Sequence, residues 1–171
     1  TRGTSGSTTH VPAPHEHIPA GKVPGHWLLA RLGKRVLRPG GRRLTAEMLS
    51  TLDVGPRDRV IELAPGLGAT ARELLARSPS AYTAVDADSE AAAATRAVVE
   101  PSGGTVLVGP AQHVPLPDGE ATVVVGEAML TMQSDANKTA IIGEAARLLG
   151  AGGRYAIHEL CLAPDDIDDA L

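Results

Sequence analysis

The sequence predicts an α/β protein built on a doubly wound, mostly parallel sheet. Two observations carry that expectation. From Arg59 onward, short apolar runs alternate with helix-patterned segments, and repeated β–α units of this kind wind a parallel sheet. The runs are rich in Val and Ile with little polar alternation, as in strands covered on both faces.

Taken in order, the first strand is RVIEL (Arg59 to Leu63), followed by a helix from Ala69 to Arg77. The second strand is YTAVD, ending at Asp86, and the next helix runs from Ser89 to Val99 with Ser89 as its cap. TVLVG is the third strand, HVPLPDGE a long loop, and TVVVGEA the fourth strand. A helix from Asp135 to Leu149 carries Ile141, Ile142, Ala145, Leu148 and Leu149 along one side. GRYAIHEL (Gly153 to Leu160) is the fifth strand, and four aspartates crowd the last residues as an exposed end.

Upstream, Pro24 to Leu37 has helical apolar spacing, and PGG at Pro39 to Gly41 breaks it. A second helix spans Leu44 to Leu52, with Thr45 as its cap and Met48, Leu49 and Leu52 on its apolar face. Residues 1–20, rich in Ser, Thr, Gly and Pro, read as a flexible tail. The expected organisation is therefore tail 1–20, helical segment 21–56 and sheet domain 57–171.

Composition narrows the function. The chain has 171 residues, 43% of them hydrophobic, which suffices for one domain with a core. Aromatics make up only 2% and Phe is absent, so Ala, Val, Leu and Ile must fill that core. The net charge of −4 argues against a general nucleic-acid or membrane-surface binder. The basic stretch Arg31 to Arg43 reads as a solvated helix face and turn, the other reading being a patch for an anionic substrate or partner. His15 and His17 flank Glu16, but without further spaced ligands they do not make a metal site. A single cysteine, Cys161, excludes an intramolecular disulfide, and no membrane span or secretory signal is visible. A cytoplasmic location is expected.

The stretch VIELAPGLGATARELL (Val60 to Leu75) holds the main chemical signal. Ligands of such sheets bind beyond the carboxyl ends of the strands, where the turn after the first strand lies. Gly66 and Gly68 let a ligand approach the backbone, and the following helix offers unpaired N–H groups. Twenty residues on, Asp86 can accept hydrogen bonds from both ribose hydroxyls. Together they indicate an adenosine-containing ligand. Gly66 to Ala71 also satisfies the dinucleotide pattern G-x-G-x-x-A, so NAD is one reading. Glu62 opposes it, because a carboxylate repels a pyrophosphate. It suits an ammonium and a sulfonium, which points to S-adenosylmethionine (SAM).

The segments VIELAPGLG, AVDAD, VGPAQHVPLPDGEATVVVGEAM and ARLLGAGGRYAIHEL resemble, in order and spacing, the successive motifs of class I SAM-dependent methyltransferases. The resemblance covers roughly Val54 to Leu160 and is to actinobacterial-type members. It implies a Rossmann-like sheet of order 3-2-1-4-5. It implies that Glu62, Ala64 and Gly66 line the methionine end of SAM, with Gly68 shaping the turn. Asp86 would bind the ribose and Ala87 would lie beside the adenine. Ala111 and Gln112 would follow the adenine edge. Glu127 and Ala128 would face the methionine part and the transferred methyl group. The helices before the sheet would form part of a lid, with His26 and Trp27 near substrate or simply packed.

The chain departs from that pattern at Ala64, where the first glycine is usual and where alanine is tolerable unless φ is positive. It departs again at Pro110 and Thr122, where acids are common. The family's sheet normally has seven strands, so the chain reads as truncated after the fifth. That leaves an open edge to be covered by the N-terminal segment, the acidic end or a second copy, as in a homodimer. Methyl transfer is mainly positioning, and a base is needed only for a nucleophile that must lose a proton. Candidates are His158 first, then Glu159, Glu127 and His113. Met129 and Met132 line an apolar pocket or fill the core. The expected activity is methyl transfer to a small-molecule acceptor. The competing readings are an NAD(P)-binding oxidoreductase domain and a non-catalytic SAM-binding remnant.

Overall fold

The computed structural model describes residues 15–22, 27–28, 32 and 40–161. Five strands form one sheet of order β3-β2-β1-β4-β5, all neighbours parallel. The strands are β1 (Arg59–Leu63), β2 (Ala81–Asp86), β3 (Thr105–Val108), β4 (Ala121–Glu127) and β5 (Leu149–His158). The helices are α1 (Gly41–Leu52), α2 (Ala69–Leu75), α3 (Ser89–Val99) and α4 (Asp135–Leu148). This is the doubly wound arrangement expected, with strand order reversing at β1 and β4. Among the described residues, no helix is long and apolar enough to cross a membrane.

Alternating side chains sort to two faces, and each face builds its own core. Val60, Tyr82, Ala84, Val123, Val125 and Ala156 pack under α1, α2 and α3, with Leu49 and Leu74 fully buried. Ile61, Leu63, Val85 and Val124 pack under α4 and the β3–β4 loop, through Ile141, Leu148 and Val114. Aliphatic side chains fill both layers, as the lack of Phe requires. Ile142, expected on the apolar side of α4, is exposed; Glu144 takes a buried place instead.

Three local expectations change. Helix α1 starts at Gly41 after Gly40 in a left-handed conformation, so Thr45 is not its cap. Thr45 lies buried inside the helix, its hydroxyl donating back to the Gly41 carbonyl at 3.3 Å. The cap of α3 is Asp88 rather than Ser89, its carboxylate accepting from the Glu90 and Ala91 amides. A carboxylate is the stronger partner for the positive end of a helix. Strand β5 begins at Leu149, with an irregular register between Ala121 and Val123, and ends at His158, leaving Glu159 beyond it. Most of the segment Pro24 to Leu37, including His26, lies outside the described residues, as does the acidic end.

The long β3–β4 loop is held by Arg147, which pairs with two carboxylates. The Arg147 guanidinium donates to the Glu144 carboxylate and Asp118, and to the carbonyls of Val114 and Leu116. Glu144 accepts in turn from the Val114 amide at 2.6 Å. Arg147, with that amide, holds the Glu144 carboxyl well below its ordinary value of 4.5, at about 2. A depressed carboxyl stabilises the fold fully above its unfolded value and ceases to as pH falls through the folded one. The stability gap between the parent chain and Glu144→Gln is therefore expected to shrink as urea titrations move from about pH 6 towards pH 2. A constant gap would show that the pair does not hold the loop.

Candidate functional site

The carboxyl ends of β1, β2 and β4 open into a cavity of about 650 Å³, within the size range of small-molecule sites. Period-two alternation puts Glu62, Asp86 and Glu127 on the same face, beside α2 and α3. All three line the cavity; Glu62 and Asp86 are buried, and Glu127 is partly buried with 7% of its side chain exposed. Ala64, Gly66, Ala87, Ala111, Gln112 and Ala128 also line it. The structure thus brings together nine of the positions expected to meet a ligand. Gly68 and His158 are not on the wall.

Glu62 is 3% exposed. The Tyr82 hydroxyl donates to it from the neighbouring strand. Burial, and then the Glu62 charge, push the Tyr82 phenol well above its ordinary value, so the proton stays on the tyrosine. Asp86 ties the second strand to the glycine turn: it accepts from the Asp88 amide at 2.9 Å and the Gly66 amide at 3.3 Å. Burial raises the Asp86 carboxyl above its ordinary value against the pull of those two amides. Glu127 accepts from the Thr70 hydroxyl at 2.6 Å, which draws the start of α2 onto the end of β4.

The glycine turn divides its work. Gly66 has φ +59° and open space where a Cβ would stand, so nothing blocks approach from the cavity. Gly68 has φ +69°, and a Cβ there would come within 3.2 Å of Val98, so it serves the packing of α2 on α3. Ala64 sits at φ +52°, the condition under which alanine is no longer a harmless replacement for glycine. Left-handed backbone costs a non-glycine residue about 1–2 kcal/mol. Glycine recovers that strain and loses part of it to a freer unfolded chain. Ala64→Gly is expected to stabilise the chain by about 1 kcal/mol, read as a higher urea midpoint at unchanged slope. A lower midpoint would mean that the alanine methyl contributes packing that outweighs the strain.

His158 lies opposite Glu127 in the β4–β5 register, and its Nδ1 is 3.3 Å from the Glu127 carboxylate. The ring is 9% exposed and stands behind Glu127, not on the cavity surface. Its Nε2 is buried without a hydrogen-bond partner. His113 is exposed on the β3–β4 loop and also off the wall.

Glu159 does something that its position past a strand end did not reveal. One oxygen accepts from the Met129 and Leu130 amides at 2.6 and 2.7 Å; the other accepts from the Thr131 amide and hydroxyl. A carboxylate so occupied is a clamp for the loop after β4, not a free base. Met129, Thr131 and Met132 of that loop line the cavity, Met129 buried and Met132 exposed.

Trp27 closes another side. It is 6% exposed, packs on Ala91 and Leu67, and lines the cavity. His15 sits 5.9 Å from its ring and contacts the Asp88 and Glu90 carboxylates at the head of α3. His15 and His17, inside the expected tail, thus bear on the sheet domain. No group of three or more His, Cys, Asp or Glu suited to a metal occurs among the described residues.

Thr122 has an equally local explanation. Its hydroxyl donates to Asp58 at 2.8 Å and accepts from the Arg59 amide, while Arg154 reaches the same Asp58 oxygen. The carboxylate at this end of the sheet comes from Asp58, before β1, rather than from the start of β4.

Comparison with known proteins is consistent with this geometry. Residues 60–153 match a family model described as a methyltransferase domain. A Haemophilus influenzae protein without an assigned function is 37% identical over 79 residues, covering 46% of this chain and 32% of that protein. Among solved structures, YcgJ of Bacillus subtilis aligns with a TM-score of 0.60 at 22% identity, over 67% of this chain and 49% of its own. A candidate methyltransferase from Bacillus halodurans aligns at 0.59 and 22%, over 66% and 49%. Haemonchus contortus phosphoethanolamine N-methyltransferase 1, solved with phosphoethanolamine and S-adenosylhomocysteine, aligns at 0.64 and 20%, over 70% of this chain and 26% of its own. These likenesses establish the fold. The chain spans about half the length of the two Bacillus structures.

Proposed function

The chain belongs to the methyltransferase domain family, and from that premise we propose that its cavity binds SAM for methyl transfer to a small-molecule acceptor. One observation carries this reading. The charged residues lining the cavity are Glu62, Asp86, Asp88, Glu127 and Glu159, and among the described lining residues there is no Lys or Arg. A pyrophosphate would meet like charge at these five residues, which disfavours the NAD(P) reading despite the G-x-G-x-x-A match. A ligand bearing an ammonium and a sulfonium meets opposite charge.

The residues fit SAM in distinct ways. Glu62, at the end of β1, would take the ammonium, held in place by Tyr82. Asp86 would accept from the ribose hydroxyls, already oriented by two backbone amides. Ala87, Ala111 and Gln112 would flank the adenine, and Ala64 and Gly66 leave room beside the backbone. Glu127 and Ala128 would face the transferred methyl group. SAM supplies an electrophilic methyl group on a good leaving group, so the protein's task is alignment. The His158 ring, in contact with Glu127 and away from the wall, would act through that carboxylate.

Calorimetric titration with SAM and, separately, NAD tests the reading. SAM binding without NAD binding is expected; NAD binding alone would overturn it. SAM binding with no turnover on any acceptor would favour the second reading, a SAM-binding domain without catalysis. A cytoplasmic setting belongs to the proposal, supported by a solitary exposed cysteine. So does a homodimer through β5, which pairs only with β4 among the described residues.

A further inference from the structure

We propose that Glu159 is a positioning residue of the cofactor site: its carboxylate holds the turn after β4 in the strained shape that meets the methionine end of SAM. This rests on the SAM reading and deepens it. Four consecutive amides after β4 donate to two consecutive residues at the end of β5. Ala128 donates to the His158 carbonyl at 2.8 Å. Met129 and Leu130 donate to one Glu159 oxygen at 2.6 and 2.7 Å. The Thr131 amide and hydroxyl donate to the other at 3.2 and 2.7 Å. Successive amides turned towards one carboxylate form a concave anion seat, filled here by the chain's own side chain.

The seat fixes a backbone shape that is unfavourable by itself. Ala128 opens the turn at φ +53°, in the left-handed region that a Cβ disfavours. Such a conformation persists only where its surroundings over-determine it. Met129 and Leu130 are anchored by burial as well. Thr131 is exposed, and both of its donors go to Glu159.

Ala128, Met129, Thr131, Met132 and Gln133 line the cavity, as does Glu159 itself. The carboxylate therefore joins two walls, the loop after β4 and the end of β5. A loop released from its seat samples other shapes, and a ligand that needs the seated one binds more weakly in proportion to the seated fraction. The effect is local. The hydrogen bonds of Glu159 go to Met129, Leu130 and Thr131, whereas the adenosine half of SAM is assigned to Asp86, Ala87, Ala111 and Gln112.

The intact chain and Glu159→Ala are titrated by calorimetry with S-adenosylhomocysteine and with adenosine. Each titration is run in sodium chloride and in sodium formate at equal ionic strength. S-adenosylhomocysteine is expected to bind E159A at least about tenfold more weakly than the parent, as when the seated fraction falls below roughly a tenth. Adenosine, which lacks the methionine part, is expected to bind both proteins alike. Formate is a free carboxylate small enough for the seat. It is expected to recover most of the lost affinity in E159A and to leave the parent unchanged. Glu159→Gln keeps the seat filled with a single accepting oxygen, so a smaller loss that formate does not move is expected. Circular dichroism checks the folding of each variant. If E159A does not fold, E159Q carries the test, with a loss of at least about threefold expected for S-adenosylhomocysteine alone. If adenosine does not bind the parent measurably, the formate comparison decides. Parent-like S-adenosylhomocysteine affinity in the folded variant overturns the positioning role while leaving the cofactor site standing. So does an equal loss for both ligands, or a loss in E159A that formate does not reduce. Failure of the parent chain to bind S-adenosylhomocysteine overturns the underlying SAM reading itself.

Discussion

Asp86→Ala is expected to weaken SAM binding by at least about 100-fold. Two hydrogen bonds from the ribose hydroxyls to a carboxylate are worth roughly 1.5–3 kcal/mol each, and every 1.4 kcal/mol is about tenfold in affinity. The substitution also releases the Gly66 and Asp88 amides that the carboxylate now holds, so the glycine turn loses one of its ties to β2. Asp86→Asn separates the two effects, since an amide oxygen can keep one backbone bond but cannot accept from both hydroxyls and both amides. The pH dependence has a defined sign. Burial raises the Asp86 carboxyl, and only the ionised form accepts both hydroxyls, so affinity is full above the raised value and falls as pH drops through it. Asp86→Asn should abolish that fall. Calorimetric titrations of the three proteins across the acid range read this directly, and parent-like affinity in Asp86→Ala would remove the ribose role from the residue.

The double substitution Glu62→Leu with Tyr82→Phe is expected to leave the chain at least as stable as the parent and to abolish SAM binding. A carboxylate 3% exposed in an apolar strand is costly to bury, and its charge must be met there by Tyr82 and its other partners. Replacing both members of such a pair with apolar groups of similar shape is usually neutral, or stabilising by about 1–4 kcal/mol. Glu62→Leu alone leaves the Tyr82 hydroxyl buried without its acceptor, at a cost of about 1–3 kcal/mol relative to the double variant. Urea midpoints of the four proteins close the cycle, and titration with SAM supplies the functional arm. A double variant several kcal/mol less stable than the parent would make Glu62 a structural residue. Stability retained with binding lost would show that the strand carries its acid for the ligand.

Much of the site was legible in one dimension because strand ends and turns carry local signatures. Residues 60 to 68 place an acid, a tight turn and a helix start within a few positions, and Asp86 follows at the spacing of one β–α–β unit. Parallel winding then delivers Glu62, Asp86 and Glu127 to one end of one face without further information. The order of the strands was implied by the family resemblance, and all five strands overlap their Val- and Ile-rich segments, with β5 starting earlier, at Leu149.

Residues that act across elements were not legible in this way. Periodicity cannot say that the Glu159 carboxylate folds back onto three consecutive amides of another loop. Nor can it say that His158 spends its ring nitrogen on Glu127 instead of facing the cavity. The cap of α3 is Asp88 rather than Ser89: one carboxylate oxygen accepts from the Glu90 and Ala91 amides, while His15, far away in sequence, contacts the other. Ala64 could be recognised as a departure from glycine, but its positive φ belongs to the packed turn. The sequence by itself determined the sheet, its winding and the acidic end of its strands, since these depend on period-two burial and on turns a few residues long. Only the tertiary structure decided which carboxylates gather on the cavity wall and that Glu159 is consumed as a clamp. That depends on donors brought together from separate elements, and no local pattern encodes their distances.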